Sequence, residues 1–133
     1  MKTVALIEMG KDGTFGIYTP SIESTIIGEG ASVEEAKSDF ENSVREVLAM
    51  YADNQEELPE ELKDISFEYK YDLASFLNYF KFINMTQLAK MAGVNASLMR
   101  QYKQGQYVSA KQVSKIQTAI NEIGRQMAEV KLI

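Results

Sequence analysis

The apolar pattern turns wholly helical near Lys70, and this change limits the fold more than any other feature. Just before it, Ile65, Phe67 and Tyr69 alternate with Ser66, Glu68 and Lys70, the two-residue period of a half-buried strand. From Tyr71 onward apolar residues recur at three- and four-residue spacing, the period of helices that bury one face. A chain of 133 residues has room for one ordinary domain or two small ones. The switch predicts two, residues 1–70 and residues 71–133, and an α+β chain as a whole.

Residues 1–70 predict a small sheet carrying one helix. Thr3 to Met9 is β-branched and aliphatic and reads as a strand. Gly10-Lys11-Asp12-Gly13 reads as a turn and Thr14 to Thr19 as a second strand, a hairpin that Pro20 breaks. Ser24 to Gly28 reads as a third strand, ended by Gly28 and Gly30. Ser32-Val33-Glu34-Glu35 is a capping box: the Ser32 hydroxyl accepts from the Glu35 amide, and the Glu35 carboxylate reaches back. Behind it Ala36, Phe40, Val44, Val47, Leu48 and Tyr51 form the buried stripe of a helix ending near Tyr51. Residues 52–64 are acidic, carry Pro59 and make a loop with room for one helical turn. The expected order is β-β-β-α-β. About 70 residues is close to the lower limit for an independent core, so self-association through the sheet or helix would help.

Residues 71–133 predict helices only. Leu73, Phe76, Leu77 and Phe80 line a first one. Asn84 opens a second through Leu88, Ala89 and Met91, and Gly93 punctuates it. Asn95 caps a third that runs to about Lys103, and Gly105 ends it. Ser109-Ala110-Lys111-Gln112 caps a long fourth with Val113, Ile116, Ile120, Ile123 and Met127 on one face. The closing EVKLI segment is compatible with fraying or with a strand.

Charge divides where the period does. Residues 1–70 hold 6 basic and 16 acidic side chains, net -10; residues 71–133 hold 8 and 3, net +5; together they give the chain's -5. A basic module can approach phosphates, whereas an acidic one repels them and suits a basic protein. The plainer reading of the acidic half is a solvated surface with no partner.

The chain has no Cys and no His, which removes thiolate nucleophiles, imidazole bases, disulfides and the usual zinc sites. Carboxylate chemistry remains, and Glu8, Asp12, Glu23 and Glu29 are available early in the chain. Metal-dependent hydrolysis needs several carboxylates on one point, and no Asp falls on a central predicted strand, so these acids read as solubilising. The expectation is a protein without catalysis, cofactor or metal. No apolar run approaches the roughly 20 residues of a membrane span. MKTVALIEMG is too weakly apolar for a secretory signal, so a cytoplasmic location with no membrane partner is expected.

The most informative stretch is Met85 to Gln104, MTQLAKMAGVNASLMRQYKQ. It has a small residue, Ala89, where a second helix would cross the first. Gly93, four residues later, can take a left-handed turn. Leu88, Ala92, Val94, Met99 and Tyr102 can hold two helices together, and Asn95 caps the second. This spacing resembles the Cro/repressor-like helix-turn-helix family. Leu98 or Met99, with Tyr102, should face inward. The resemblance implies that Ala96, Ser97, Arg100, Gln101 and Gln104 face the major groove. Arg100 suits guanine O6 and N7, and Gln101 and Gln104 suit adenine N6 and N7. Ser97, with Asn95 at the helix start, suits phosphate or base. Gln87 matches a position that touches phosphate in repressor-type relatives, and Lys103 and Lys111 would neutralise phosphates. Tyr107 fits core or contact. For each residue alone the competing reading is ordinary surface polarity. One such motif reads few base pairs, so a homodimer or dimer of dimers on operator DNA is expected, with the dimer contact in the acidic domain.

The first half resembles the HicB-type antitoxin domain over about residues 3–70. The matching features are Asp12-Gly13-Thr14-Phe15, Pro20, Gly28 and Ser32-Val33-Glu34-Glu35-Ala36. Ser21-Ile22-Glu23-Ser24 departs from the pattern, where a second Pro-Gly turn is common. The resemblance implies a truncated RNase H-like fold without catalysis, acting as antidote to a HicA-like basic RNA-cleaving toxin. It also implies repression of the operon for both through the rear domain. The toxin-contacting residues are not located more closely than residues 1–70. Two other functions stay open: a stand-alone helix-turn-helix regulator whose first domain dimerises or senses a ligand, and a carboxylate-metal nuclease.

Overall fold

Lys2–Met9 forms the strand, β1, on which the first part of the molecule is assembled. The structure is a computed structural model and describes residues 2–133. Phe15–Tyr18 (β2) pairs antiparallel to β1, and Ile27–Gly30 (β3) antiparallel to β2. Val33–Asp53 (α1) then crosses the sheet, a single 3-10 turn follows at Glu60–Leu62, and Ser66–Tyr71 (β4) returns parallel to β1. The strand order is β3-β2-β1-β4, a mixed sheet. With four helices after it, the chain is α+β. It divides into two compact units, the first ending at Asp72 and the second being Leu73–Ile133.

The first core lies between one sheet face and α1. Thr3, Ala5 and Ile7 of β1 and Phe15 and Ile17 of β2 are buried there with Ala36 and Phe40 of α1. Alternation carries β4 as expected: Phe67, Tyr69 and Tyr71 are half-buried, and Ser66, Glu68 and Lys70 are exposed. Phe40 sits edge-on to Phe67 and Tyr69, with centroids 5.0 and 6.2 Å away. Full burial of a side chain this size is worth about 1.5–3 kcal/mol. Only the first part of the expected α1 stripe is fully buried. Val44, Val47, Leu48 and Tyr51 are half-buried, because a 21-residue helix is about 31 Å long and overruns strands of four residues.

Two local expectations need correction. The third strand is Ile27–Gly30, not Ser24 to Gly28, so Gly28 lies within it and Gly30 is its last residue. They are there because α1 passes close above: a Cβ on Gly30 would fall 2.6 Å from the Ala36 amide nitrogen, and one on Gly28 would overlap the Phe40 backbone. The capping box also differs in detail. Ser32 Oγ accepts from the Glu35 amide at 3.1 Å, but the Glu35 carboxylate reaches one residue further back, to the Ala31 amide at 3.0 Å.

The segment departing from the HicB pattern is held by two side chains that periodicity does not single out. Thr19, buried, donates its hydroxyl to the Ser24 carbonyl and accepts from the Ile26 amide. Glu61, on the 3-10 turn, accepts from the amides of Ser24 and Glu23 at 3.0 and 3.1 Å. Those amides, Ser24 first, hold its carboxyl below the ordinary range.

In the second unit Leu73–Tyr79 (α2), Met85–Ala92 (α3), Ala96–Lys103 (α4) and Ala110–Glu129 (α5) enclose a core of Leu77, Leu88, Ala89, Ala92, Val94, Met99, Tyr102, Ile116 and Ala119. On α5, Ile116 is buried, but Val113 and Met127 at the ends of the predicted stripe are exposed. Residues after Val130 form neither helix nor strand. No helix among the described residues is long and apolar enough to cross a membrane.

Candidate nucleic-acid interface

The α3–α4 corner is built by caps. Asn84 Oδ1 accepts from the Gln87 amide at 3.0 Å and starts α3. Gly93 ends it in the left-handed region, at φ 70° and ψ 34°. Its amide bonds the Lys90 carbonyl, while the Val94 amide bonds that of Ala89 at 2.9 Å, a Schellman closure. Val94 and Ala89 are buried beside that bond. Asn95 Oδ1 then accepts from the amides of Ser97 and Leu98 at 2.8 and 3.3 Å and opens α4. Three residues therefore turn the chain, with the Gly93, Val94, Ser97 and Leu98 amides all bonded.

Packing fixes which face of α4 points out. Met99 is fully buried and Tyr102 nearly so, whereas Leu98 is 38% exposed, so Met99 is the inward residue of the expected pair. Ser97, Arg100, Gln101 and Gln104 fall at i, i+3, i+4 and i+7 and share a stripe on the opposite side. Ser97, Arg100 and Gln104 are exposed and Gln101 is half-buried. Ala96 and Lys103 are also half-buried, nearer the core side. Gln87 is exposed in the first turn of α3, and Lys111 in the first turn of α5. Asn95 is exposed, with its side-chain oxygen committed to the cap.

Asn78 was not singled out by the sequence. Its Nδ2 donates to the Ala74 carbonyl at 2.7 Å and to the Lys103 carbonyl at 3.0 Å, so α2 fixes the end of α4. The contact spans 25 residues, and a polar side chain on a helix gives no periodic sign of such a role.

The electrostatics follow from where the few acids go. Leu73–Ile133 contains two carboxylate side chains, Glu122 and Glu129, and both pair with Arg125 on α5. The Arg125 hydrogen bonds, then that of Gln126, hold the Glu122 carboxyl down to about 2, so it stays charged and paired. Among the described residues no carboxylate lies in ion-pair reach of Lys90, Arg100, Lys103, Lys111 or Lys115. Within the second unit, the two acids are thus spent on Arg125 and not on the cations around the α3–α4 corner.

The acids weighed for metal chemistry lie apart in role. Burial first, and then the negative charge of nearby Glu8, push the Tyr18 hydroxyl up. Asp12 accepts the Thr14 hydroxyl and amide at 2.7 and 3.0 Å within the β1–β2 turn, which lowers its pKa. Glu23 offers its amide to Glu61, and Glu29 is exposed on β3.

Comparisons with protein families, curated proteins and solved structures find no match to this chain.

Proposed function

We propose that the protein is an antitoxin-repressor: the second unit reads operator DNA, and the first binds a basic, HicA-like RNA-cleaving toxin. The observation that carries the DNA half is the α4 stripe. Ser97, Arg100, Gln101 and Gln104 line one side of a short helix whose other side is buried, on a unit whose only acids are taken by Arg125. Capped α3 and α4 joined through left-handed Gly93 support a helix-turn-helix with α4 as the recognition helix. Arg100 and the glutamines offer the donors and acceptors that the major groove displays, and Gln87, Lys103 and Lys111 reach toward phosphates.

The toxin half rests on the HicB resemblance and on charge. The β-β-β-α-β order, with β4 parallel to β1, fits a truncated RNase H-like unit. Its -10 charge over residues 1–70 suits a basic partner that otherwise meets RNA.

The test is co-expression with the product of the adjacent gene, followed by binding of the purified complex to the upstream DNA. Expected are a stable complex lost when residues 1–70 are deleted, and sequence-specific DNA binding lost when residues 71–133 are deleted. DNA binding without any captured toxin would favour the stand-alone regulator. Binding of neither would overturn both.

A further inference from the structure

The two edges of the sheet are finished differently. At β3 the outward amide of Glu29 donates to Asp39 Oδ2 of α1 at 2.8 Å, so the helix closes that edge. Among the described residues of the first unit no side chain bonds the Phe67 or Tyr69 amide in the same way. The Asp72 amide donates to the Ile7 carbonyl of β1, so by alternation Ser66, Glu68 and Lys70 also face β1 with their backbone groups. The N–H and C=O groups of Phe67 and Tyr69 therefore point out of the sheet, with no strand beside them among the described residues. Within the first unit, a strand edge with no strand beside Phe67 and Tyr69 is a template for another strand.

We propose that β4 pairs antiparallel with β4 of a second copy of this chain, about a twofold axis through Tyr69, to make one continuous eight-stranded sheet. The register follows from the strand's own residues. An axis at Glu68 would oppose two carboxylates, and one at Lys70 would oppose two ammonium groups. An axis at Tyr69 places Glu68 opposite Lys70 twice, both on the exposed face, and Phe67 opposite Tyr71 on the face that packs against α1. It also aligns the outward backbone groups of the two Tyr69 residues, so that each donates to and accepts from the other. Charge complementarity selects this register over the neighbouring ones, and hydrogen-bond parity permits it.

The pairing also sets where the second units leave. Asp72 lies three residues from the axis, so the two Asp72 positions are roughly 20 Å apart along the strands, at about 3.3 Å per residue. Two rear units would start from dyad-related points, as a palindromic operator requires. The inference stands on the sheet and not on DNA or toxin binding, so its failure would leave the proposed function to its own test.

The experiment measures the dimer dissociation constant of the full chain by sedimentation, alongside hydrogen exchange. Glu68→Lys and Lys70→Glu each oppose like charges at two symmetric positions and should weaken dimerisation about tenfold or more. The double exchange restores opposition and should return the constant to within about threefold of the original. Both side chains are exposed, so the fold should persist, as circular dichroism would verify. Phe67 and Tyr69 amide protection should rise with protein concentration. A chain that stays monomeric at 100 μM overturns the proposal. So does a dimer indifferent to both single changes, or one whose Phe67 and Tyr69 amides exchange freely.

Discussion

Gly28 of β3 lies directly beneath Phe40 of α1, with no room for a side chain between them. A Cβ on Gly28 would fall on the Phe40 amide nitrogen, Cα and Cβ together, all of them atoms that cannot swing aside. Strand and helix therefore approach at backbone distance, which seats the Phe40 ring over Phe67 and Tyr69.

Gly28→Ala should destabilise the first unit by about 1–3 kcal/mol or more, the cost of forcing volume into a packed site. Gly16 faces open space on neighbouring β2, so Gly16→Ala should be far milder. Urea unfolding followed by circular dichroism compares the two. Equal effects would mean that the close approach is not what holds α1.

The same contact shows where the sequence was legible and where it was not. Periodicity marked β1, β4, α1 and the later helices because each buries one face, and burial leaves a repeat. The caps at Ser32, Asn84, Asn95 and Ser109 were readable because a short polar side chain before a helix has few other uses. Gly28 reads as a strand end but lies inside β3, because glycine marks a close approach as well as a turn and local sequence does not distinguish the two. Glu61 and Asn78 were invisible, since each acts across a long separation through a backbone partner that carries no side-chain signal. At the candidate interface the stripe of Ser97, Arg100, Gln101 and Gln104 was legible as the complement of the buried face.

Gly93→Ala tests the α3–α4 corner. No atom lies within 4 Å of a Cβ there, so the cost is conformational: a non-glycine residue at φ 70° pays about 1–2 kcal/mol. Gly93→Asn should cost less, because Asn tolerates the left-handed region. Thermal unfolding should rank glycine above asparagine above alanine, and DNA affinity should follow that order if α4 is the reading element. The reverse order of Asn and Ala would show that the turn is not held left-handed in solution.

Alkaline titration tests the packing of Tyr69. Burial, then its hydrogen bond to Glu41 at 3.1 Å and the charge of that carboxylate, raises the hydroxyl from 10.0 to about 12. The folded value lies above the unfolded one. The stabilisation is therefore complete below pH 10 and is lost as pH climbs toward 12. Phenolate absorbance should show late-ionising tyrosine, and the Tyr69→Phe protein should lose the latest component while that of Tyr18 remains. Glu41→Gln should lower that value part of the way, since burial remains. An unchanged value would assign the whole shift to burial.

Arg100→Ala separates stability from recognition. The side chain is exposed and forms no ion pair among the described residues, so its loss should alter unfolding free energy by no more than about 0.5 kcal/mol. If Arg100 reads a guanine edge, operator affinity should fall by about 1–3 kcal/mol and preference should relax at one base position, while affinity for unrelated DNA changes less. Lys111→Ala should act differently. If Lys111 meets a phosphate, its loss should weaken binding to every sequence alike and reduce the salt slope by about one unit. Fluorescence anisotropy against operator and scrambled duplexes, over a range of salt, distinguishes these outcomes. An Arg100→Ala protein that loses operator and scrambled affinity equally would move Arg100 from base to backbone, and Ser97, Gln101 and Gln104 would then have to carry the sequence preference of α4.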